Sequence, residues 1–256
     1  MKVLHCADLH IRDKNIEEIA ACLQFAIDRA TAERVDLIVV AGDTFDSRDI
    51  KLDSRAAKLA ISTVSAFADI APVAIVTGTP SHDGSAPEVL RYAKGIYPVH
   101  VASNPEQIFL SIDNLSRQPG IYAKPTAVLT MIPTPTKQFF NSGSIAESND
   151  GISQAMNGLF AGFGAQAAQY PDAPHILVGH WEVTGARLPT GQTLTGQDIS
   201  ITTDQMLLAN PDIILCGHIH LPQQLGDRTF YAGSLYPLNF GENHEHGFYI
   251  HELEAA

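Results

Sequence analysis

Hydrophobic and polar positions follow two different periods in the first hundred residues of the chain. Three continuous apolar runs are typical of strands buried on both faces of a parallel sheet: 2–7, 36–41 and 72–77. Apolar residues at helical spacing predict helices between and after these runs: 15–34, 52–69 and 86–94. Because strands and helices alternate, the sequence predicts a parallel sheet joined by crossover helices.

Shorter segments dominate the rest of the chain. The pattern there predicts several short strands, then a polar loop, a helix and a second loop: 106–132, 133–150, 152–169 and 185–198. Further strands are predicted at 175–179, 212–216, 228–232 and 246–253. No repeat, coiled coil or linker divides the sequence, so we expect one α/β domain over residues 1–256.

Aspartate and histidine stand directly after five of the apolar runs. The five segments are Asp8-Leu9-His10, Gly42-Asp43-Thr44-Phe45-Asp46, Gly78-Thr79-Pro80-Ser81-His82-Asp83, Gly179-His180 and Gly217-His218-Ile219-His220. The carboxyl ends of parallel strands share one edge of a sheet, so these side chains are expected to converge there. Glycine before several of them allows the chain to turn sharply where the strand ends.

Carboxylate oxygen and imidazole nitrogen together suit Mn, Fe or Zn better than Ca. A single histidine after a strand is more often a hydrogen-bonded structural residue than a ligand. His218 and His220 give a stronger signal, because alternate residues of an extended segment point the same way. Five such segments in this order favour a metal site over a purely structural interpretation.

The order D-x-H, G-D-x-x-D, a glycine turn ending in H-D, G-H and G-H-x-H resembles the calcineurin-like metallophosphoesterase family over residues 8–220. The resemblance implies a four-layered α/β/β/α sandwich, and phosphodiester hydrolysis through a binuclear metal centre and bridging hydroxide. Two divalent cations are implied, with Mn favoured and Fe or Zn as alternatives. Their implied ligands are Asp8, His10 and His220 for the first, Ser81, His180 and His218 for the second, and Asp43 between them.

An acid for the leaving group is implied as well. His82 matches the family's histidine beside the leaving group, and Asp46 matches the aspartate that orients it. One departure concerns the second cation, since the family's turn is G-N-H-D/E, whereas here two residues are inserted and Ser81 precedes His82. A serine hydroxyl is a shorter and poorer ligand, so direct and water-mediated binding by Ser81 both stay open.

Composition limits the class of protein and of partner. The formal net charge of −12, with 16 Lys+Arg against 28 Asp+Glu, gives no general basic face for nucleic acid. Cys6, Cys22 and Cys216 are few and widely spaced, which favours reduced thiols in a cytoplasmic protein. No apolar run approaches the roughly 20 residues of a membrane span and polar residues interrupt the start, so neither a membrane nor a signal peptide is expected.

Within the family, the opening 4–10 and the tail 231–249, with its F-G-E segment ending at Glu242, resemble the SbcD-type nuclease component of a DNA-repair complex. That resemblance implies manganese-dependent cleavage of DNA, with single- or double-stranded ends as substrate. It implies a homodimer and an SbcC-type ATPase partner, although the short segment after residue 254 speaks against ATPase binding. A β-hairpin packed on the sheet would explain the tail equally without nucleic acid.

Two other functions stay open at this point. One is a small-molecule phosphodiesterase or phosphatase on the same scaffold. The other is a degenerate interaction module that has lost turnover, which Ser81 favours and the retained aspartates and histidines oppose. Trp181, next to His180, is a candidate for stacking on a base of the substrate, with simple packing as the alternative.

Overall fold

Two β-sheets form the centre of the protein. A computed structural model describes residues 1–111, 114–116, 124–136, 149–189 and 199–253. The first sheet contains, in spatial order, β14 (Tyr249–Glu252), β1 (Lys2–Cys6), β2 (Leu37–Ala41), β3 (Val73–Val76) and β4 (Val99–Ala102). Strand β14 runs antiparallel to β1, and the other neighbours are parallel.

The second sheet has seven strands and contains both parallel and antiparallel pairs. In spatial order they are β12 (Gln223–Leu225), β13 (Thr229–Tyr231), β11 (Ile213–Gly217), β8 (His175–His180), β7 (Ala127–Ile132), β5 (Glu106–Ser111) and β6 (Asn114–Ser116). The four strands from β13 to β7 are parallel, and the sheet ends in antiparallel pairs on both sides. Beside the sheet, β9 (Glu182–Val183) pairs with β10 (Ser200–Ile201).

Helices cover the outer face of each sheet. Helices α1 (Ile16–Glu33) and α2 (Arg55–Ala68) pack on the first sheet, and α3 (Asn149–Ala167) and α4 (Thr203–Leu207) on the second. A 3₁₀ helix spans Ala86–Tyr92. The facing sheets bury a shared core that includes Val39, Val178 and Leu215. The layers are therefore α/β/β/α, and the predicted fold class is confirmed.

Most predicted elements are present, and their bounds differ for local reasons. Helix α2 begins at Arg55 rather than at 52 because the Ser54 hydroxyl accepts a hydrogen bond from the Ala57 amide and caps the helix. Strand β4, helix α4 and strand β12, which span four, five and three residues, were not predicted. Residues 137–148 of the predicted polar loop and 190–198 of the second loop lie outside the described residues.

No helix in the described part of the chain combines the length and apolar character that a membrane crossing requires.

A pair of histidines, of which His5 is buried and His251 half-buried, makes the stability of the fold sensitive to pH. Nε2 of His251 lies 3.4 Å from Nδ1 of His5, across β14 and β1. Burial lowers the pKa of His251 to about 4 and holds the pKa of His5 well below 6.5. The unfolded chain therefore binds more protons than the native one, and stability falls as the pH drops from about 6.5 towards 4.

We expect the metal-free protein to lose roughly 2 kcal/mol of unfolding free energy through His251 alone between pH 7.5 and pH 5. Urea unfolding in the presence of a chelator measures this loss. His251→Gln carries no titrating group at that position, so its stability should fall less over the same range. Equal losses in the two proteins would rule out His251 as the cause.

Candidate metal centre

The predicted ligands meet at the carboxyl ends of parallel strands, where the two sheets face each other. Asp8 and His10 follow β1, Asp43 follows β2, His180 is the last residue of β8, and His218 comes directly after β11. Each sheet therefore supplies part of the site, although the residues are separated by up to 210 positions in the chain. This edge of the sandwich is the one that the strand pattern predicts.

Among the described residues, three overlapping groups of ligand atoms lie close enough to hold a cation. In each group the atoms are within 4.8 Å of one another: Asp8, His10 and His220; Asp8, Asp43 and His180; His10, Asp46 and His82. Nε2 of His10 lies 3.3 Å from Nε2 of His220, and Nε2 of His180 lies 3.3 Å from Oδ2 of Asp43. Asp8 is shared by the first two groups, which places these two candidate positions side by side.

Hydrogen bonds on the far side of two imidazoles fix which nitrogen faces the site. Nδ1 of His180 lies 2.8 Å from the carbonyl oxygen of Ala41, which can only accept, so Nδ1 carries the proton. Nδ1 of His220 is likewise paired with Oε1 of Glu242 at 3.3 Å. In both rings Nε2 therefore faces the other ligands, the orientation that a metal-binding histidine has.

Thr79 holds the carboxylate of Asp43 in place. Its backbone N–H donates to Oδ1 at 2.6 Å, and its hydroxyl lies 2.9 Å from Oδ1 and 3.1 Å from Oδ2. Gly78 allows this approach, because a Cβ at that position would lie 2.0 Å from Oδ1 of Asp43. Both carboxylate oxygens of Asp43 are therefore fixed by one neighbouring residue.

Backbone strain is concentrated at the same place. Seven residues other than glycine have positive φ in the described part of the chain, and four of them are predicted ligands: Asp8 (51°), His10 (39°), Asp43 (47°) and His218 (94°). Such conformations cost of order 1–3 kcal/mol each and tend to persist at functional sites. Their clustering here indicates that the loops are shaped to present side chains.

Burial and mutual charge set the protonation of the cluster. Burial lowers the pKa of His10 to about 3 and that of His218 to about 4, so both are neutral at pH 7. Burial raises the pKa of Asp8 to about 6. Burial opposes the charge of both Asp43 and His180, but their attraction lowers the pKa of Asp43 and raises that of His180 to about 9.

This donor set fits divalent cations. Asp8 and Asp43 are at most 3% exposed, and a cation would neutralise the two carboxylates that burial leaves close together. Nε2 of His180 and Nδ1 of His10 are buried, and among the described residues neither has a hydrogen-bond partner of normal geometry, as expected of nitrogens that bind a cation. Neutral imidazole and carboxylate are the protonation forms that bind metal.

A family model described as calcineurin-like phosphoesterase matches residues 1–222, most of the chain. The chain belongs to the calcineurin-like phosphoesterase family. A curated relative, the SbcD component of the nuclease SbcCD from Rhodobacter capsulatus, is 26% identical over 275 aligned residues, covering the whole of this chain and 67% of the relative. The predicted resemblance to the family is confirmed.

Two solved structures share the fold at low sequence identity. One is GAP50, described as the anchor in the inner membrane complex of Plasmodium, with a TM-score of 0.58 and 16% identity over 98% of this chain and 80% of that one. The other is a dimetal phosphatase from Danio rerio, with a TM-score of 0.58 and 14% identity over 98% of this chain and 91% of that one. At these identities the likeness shows the phosphoesterase fold alone.

His218 and Ser81 lie at the margin of the cluster. The backbone N–H of His218 donates to both oxygens of Asp8, and its ring centroid is 5.2 Å from that of His180. Ser81 is exposed and lines a cavity together with His218. Their assignment to the second cation of a calcineurin-like centre stays a prediction.

His82 and Asp46 are brought together, but not by the atoms expected from the family. Nδ1 of His82 is 2.9 Å from the backbone oxygen of Asp46, whereas the Asp46 carboxylate accepts from Arg12 at 3.3 Å. The ring of His82 packs edge-on against that of His10, with centroids 4.7 Å apart. His82 is thus oriented with Nε2 available, and its catalytic role stays a prediction.

Trp181 is part of the core beneath the site. It is 1% exposed, its ring packs edge-on against Phe160, and a Cβ on Gly179 would lie 1.7 Å from it. This burial favours packing over stacking on a base. Trp181 also borders a cavity next to His218, so its contact with the substrate stays a prediction.

Three residues of the site were not assigned from the sequence. Thr79 is the residue after glycine in the turn, which is the place of the family's asparagine when the turn is counted from Gly78 instead of from His82. Glu242 belongs to the tail segment that indicated the subfamily. Asp83 accepts from the amides of Phe45 and Gly78, which joins the two loops, and burial raises its pKa to about 7.

We expect Thr79→Val to weaken Mn²⁺ binding about 10- to 100-fold, the usual cost of removing a group that orients a ligand. Thr79→Ser keeps the hydroxyl and should restore most of the affinity. Isothermal titration of the metal-free proteins measures the change, with Ser81→Ala alongside. If Ser81→Ala weakened binding and Thr79→Val did not, Ser81 would be the important residue of the turn.

Proposed function

We propose that this protein hydrolyses phosphodiesters with two divalent cations, and that its substrate is DNA. The observation that carries the proposal is the convergence of buried carboxylates and imidazoles from both sheets within 4.8 Å of one another. Family membership supports hydrolysis of phosphoesters as the reaction class.

One set of residues would bind the two cations. The residues that would hold the cations are Asp8, His10, Asp43, His180, His218 and His220. Two bound cations supply Lewis-acid activation of water and neutralise charge on the phosphoryl group. Mn²⁺ is the proposed ion, and mixed oxygen and nitrogen donors suit Fe or Zn as well.

His82 is the proposed acid. Its Nδ1–H donates to the Asp46 carbonyl, so the protonated ring can give the proton on Nε2 to the departing oxygen. His82 is partly exposed and therefore accessible to substrate, and its ring packs edge-on against the ring of His10.

DNA as substrate is supported by the relative and by one contact. The 26% identity to the SbcD component of the nuclease SbcCD covers the whole chain. Glu242, in the F-G-E segment that carried the same resemblance, pairs with candidate ligand His220. We therefore propose DNA ends as substrate, in a cytoplasmic protein that acts as a homodimer. An SbcC-type ATPase partner belongs to the same proposal.

A small phosphodiester is the second candidate, because a net charge of −12 opposes a strong grip on a polyanion. The interaction-module alternative has support in the fold shared with GAP50, described as an anchor. A module that only binds a partner would gain nothing from buried metal ligands on a strained backbone. The strained ligands therefore speak against this alternative.

The deciding experiment compares single-stranded DNA, duplex DNA and bis-p-nitrophenyl phosphate with Mn²⁺ and with chelator. Metal-dependent digestion of DNA is the expected result. Cleavage of only the chromogenic diester would favour a small substrate. No turnover, together with fewer than about one equivalent of bound metal, would favour an interaction module.

A further inference from the structure

Residues 237–241 form a loop at the rim of the candidate metal centre. Just before this loop, the hydroxyl of Tyr236 donates to the carbonyl oxygen of His10 at 2.7 Å. Just after it, Oε1 of Glu242 lies 3.3 Å from Nδ1 of His220. His10 and His220 belong to the same group of ligand atoms, so both ends of the loop are attached beside one candidate cation position.

Phe240 projects from this loop into solvent. Its relative exposure is 111%, the highest of the large hydrophobic side chains in the described part of the chain. Glu242 fixes the loop, because its Oε2 accepts from the amide of Leu238 at 2.8 Å and its own amide donates to the carbonyl of Asn239 at 3.2 Å. Consecutive Cα atoms are 3.8 Å apart, so the Cα of Phe240 lies at most about 7.6 Å from that of Glu242. An accessible aromatic ring therefore stands next to the residue that holds His220.

A nucleobase is the substrate group that such a ring suits. Aromatic side chains stack on the faces of unpaired bases, and this stacking tolerates any sequence. The formal net charge of −12 limits binding through phosphates, whereas stacking does not require basic residues. Residues 237–241 include no charged side chain, so the loop itself neither attracts nor repels the phosphates. An exposed phenylalanine also suits a protein partner, but its position beside the metal ligands favours the substrate.

We propose that Phe240 stacks on an unpaired base of the substrate while a nearby phosphate of the same strand occupies the metal centre. The substrate class is then single-stranded DNA, including single-stranded ends, because the bases of a duplex already stack on one another. The inference rests on the proposed function, which places the phosphate at the cations. It adds a residue that binds the strand and a choice between single and double strands.

Binding of short labelled strands tests the proposal by fluorescence anisotropy. The Mn²⁺-loaded proteins carry His82→Ala to slow cleavage, and the ligands are hexathymidylate, an abasic strand with equal phosphates, and a blunt duplex. We expect hexathymidylate to bind most tightly. Phe240→Ala should weaken hexathymidylate roughly 5- to 100-fold, the usual effect of losing one stacked base, and leave the abasic strand unchanged. The slope of affinity against salt should stay the same, because no phosphate contact is removed.

Two further variants separate stacking from general damage. Ile96→Ala removes another exposed hydrophobic side chain, 77% exposed, whose amide donates to Asp69 between α2 and β3, at the opposite edge of the sheet. It should bind all three ligands like its parent. Phe240→Trp keeps an aromatic ring, and the only tryptophan of the sequence, Trp181, is buried. In otherwise wild-type protein with chelator, hexathymidylate should quench the new indole fluorescence, and the abasic strand should not.

The outcomes distinguish this inference from the proposed function. Equal binding of hexathymidylate and the abasic strand would overturn stacking, as would a Phe240→Ala protein that binds hexathymidylate like its parent. Equal or tighter binding of the blunt duplex would overturn the single-stranded substrate class. Each of these results leaves the nuclease intact if wild type still digests DNA with Mn²⁺. Base-dependent binding lost in Phe240→Ala, without any digestion by wild type, would overturn the nuclease and keep Phe240 as a DNA contact.

Discussion

Replacing Asp43 by asparagine is expected to remove bound metal and to lower turnover by about 10³-fold or more. Asp43 is the carboxylate that contacts both halves of the site, with Oδ2 3.3 Å from Nε2 of His180 and 3.8 Å from Nε2 of His10. Asparagine keeps the shape but loses the charge, and several kcal/mol of transition-state stabilisation depend on the cations held there.

Metal analysis after reconstitution with Mn²⁺ and initial rates on bis-p-nitrophenyl phosphate measure the two effects. Asp28→Asn makes the same chemical change on the exposed surface of α1, where the carboxylate accepts a hydrogen bond from Gln24, and should behave like wild type. Two equivalents of metal and a normal rate in Asp43→Asn would exclude Asp43 from the centre.

His82→Ala is expected to keep metal and to slow DNA cleavage by roughly 10²–10⁴-fold, the usual contribution of a positioned acid. The loss should depend on the leaving group, because p-nitrophenolate departs without a proton and an alkoxide of DNA does not. Bis-p-nitrophenyl phosphate should therefore be hydrolysed at a rate much closer to that of wild type.

The same variant discriminates between two roles for His82. Its ring nitrogen lies within 4.8 Å of ligand atoms of His10 and Asp46, an arrangement that could also hold a cation. Equal losses on both substrates, accompanied by loss of metal, would make His82 a ligand instead of the acid. Retained metal with a loss confined to DNA supports the acid.

The position of the site followed from the sequence because strand ends are easy to recognise. An apolar run stops at Asp8, at Asp43 and at His180. Parallel pairing brings the ends of β1 and β2 level in the first sheet, and the ends of β8 and β11 level in the second. The pairing of His180 with Gly217 in adjacent strands shows how register places the G-H and G-H-x-H segments together. Local pattern and sheet geometry agree there on where these side chains lie.

The turn after β3 was harder to interpret because its two extra residues can be counted from either end. Counting back from His82 makes Ser81 the counterpart of the family's asparagine, whereas in the structure Thr79 contacts Asp43. Which residue reaches inward depends on the loop's backbone path, and sequence spacing carries no information about that path.

Contacts made by backbone atoms and by distant segments were also out of reach. The carbonyl of Asp46, not its carboxylate, accepts from His82, and every residue has a carbonyl, so its identity gives no signal. Glu242 pairs with His220 from 22 residues away, through a loop that returns over the site. Such partners become visible only after the chain is folded.

Because each sheet supplies part of the ligand set, a metal pair would link the two sheets of the sandwich. A void at Val39 or Val178, in the core that the sheets share, would allow the sheets to move apart. The distances between the ligands would then increase although no ligand is changed. Interior packing and cation affinity are then linked, and tight metal binding in turn resists separation of the two halves.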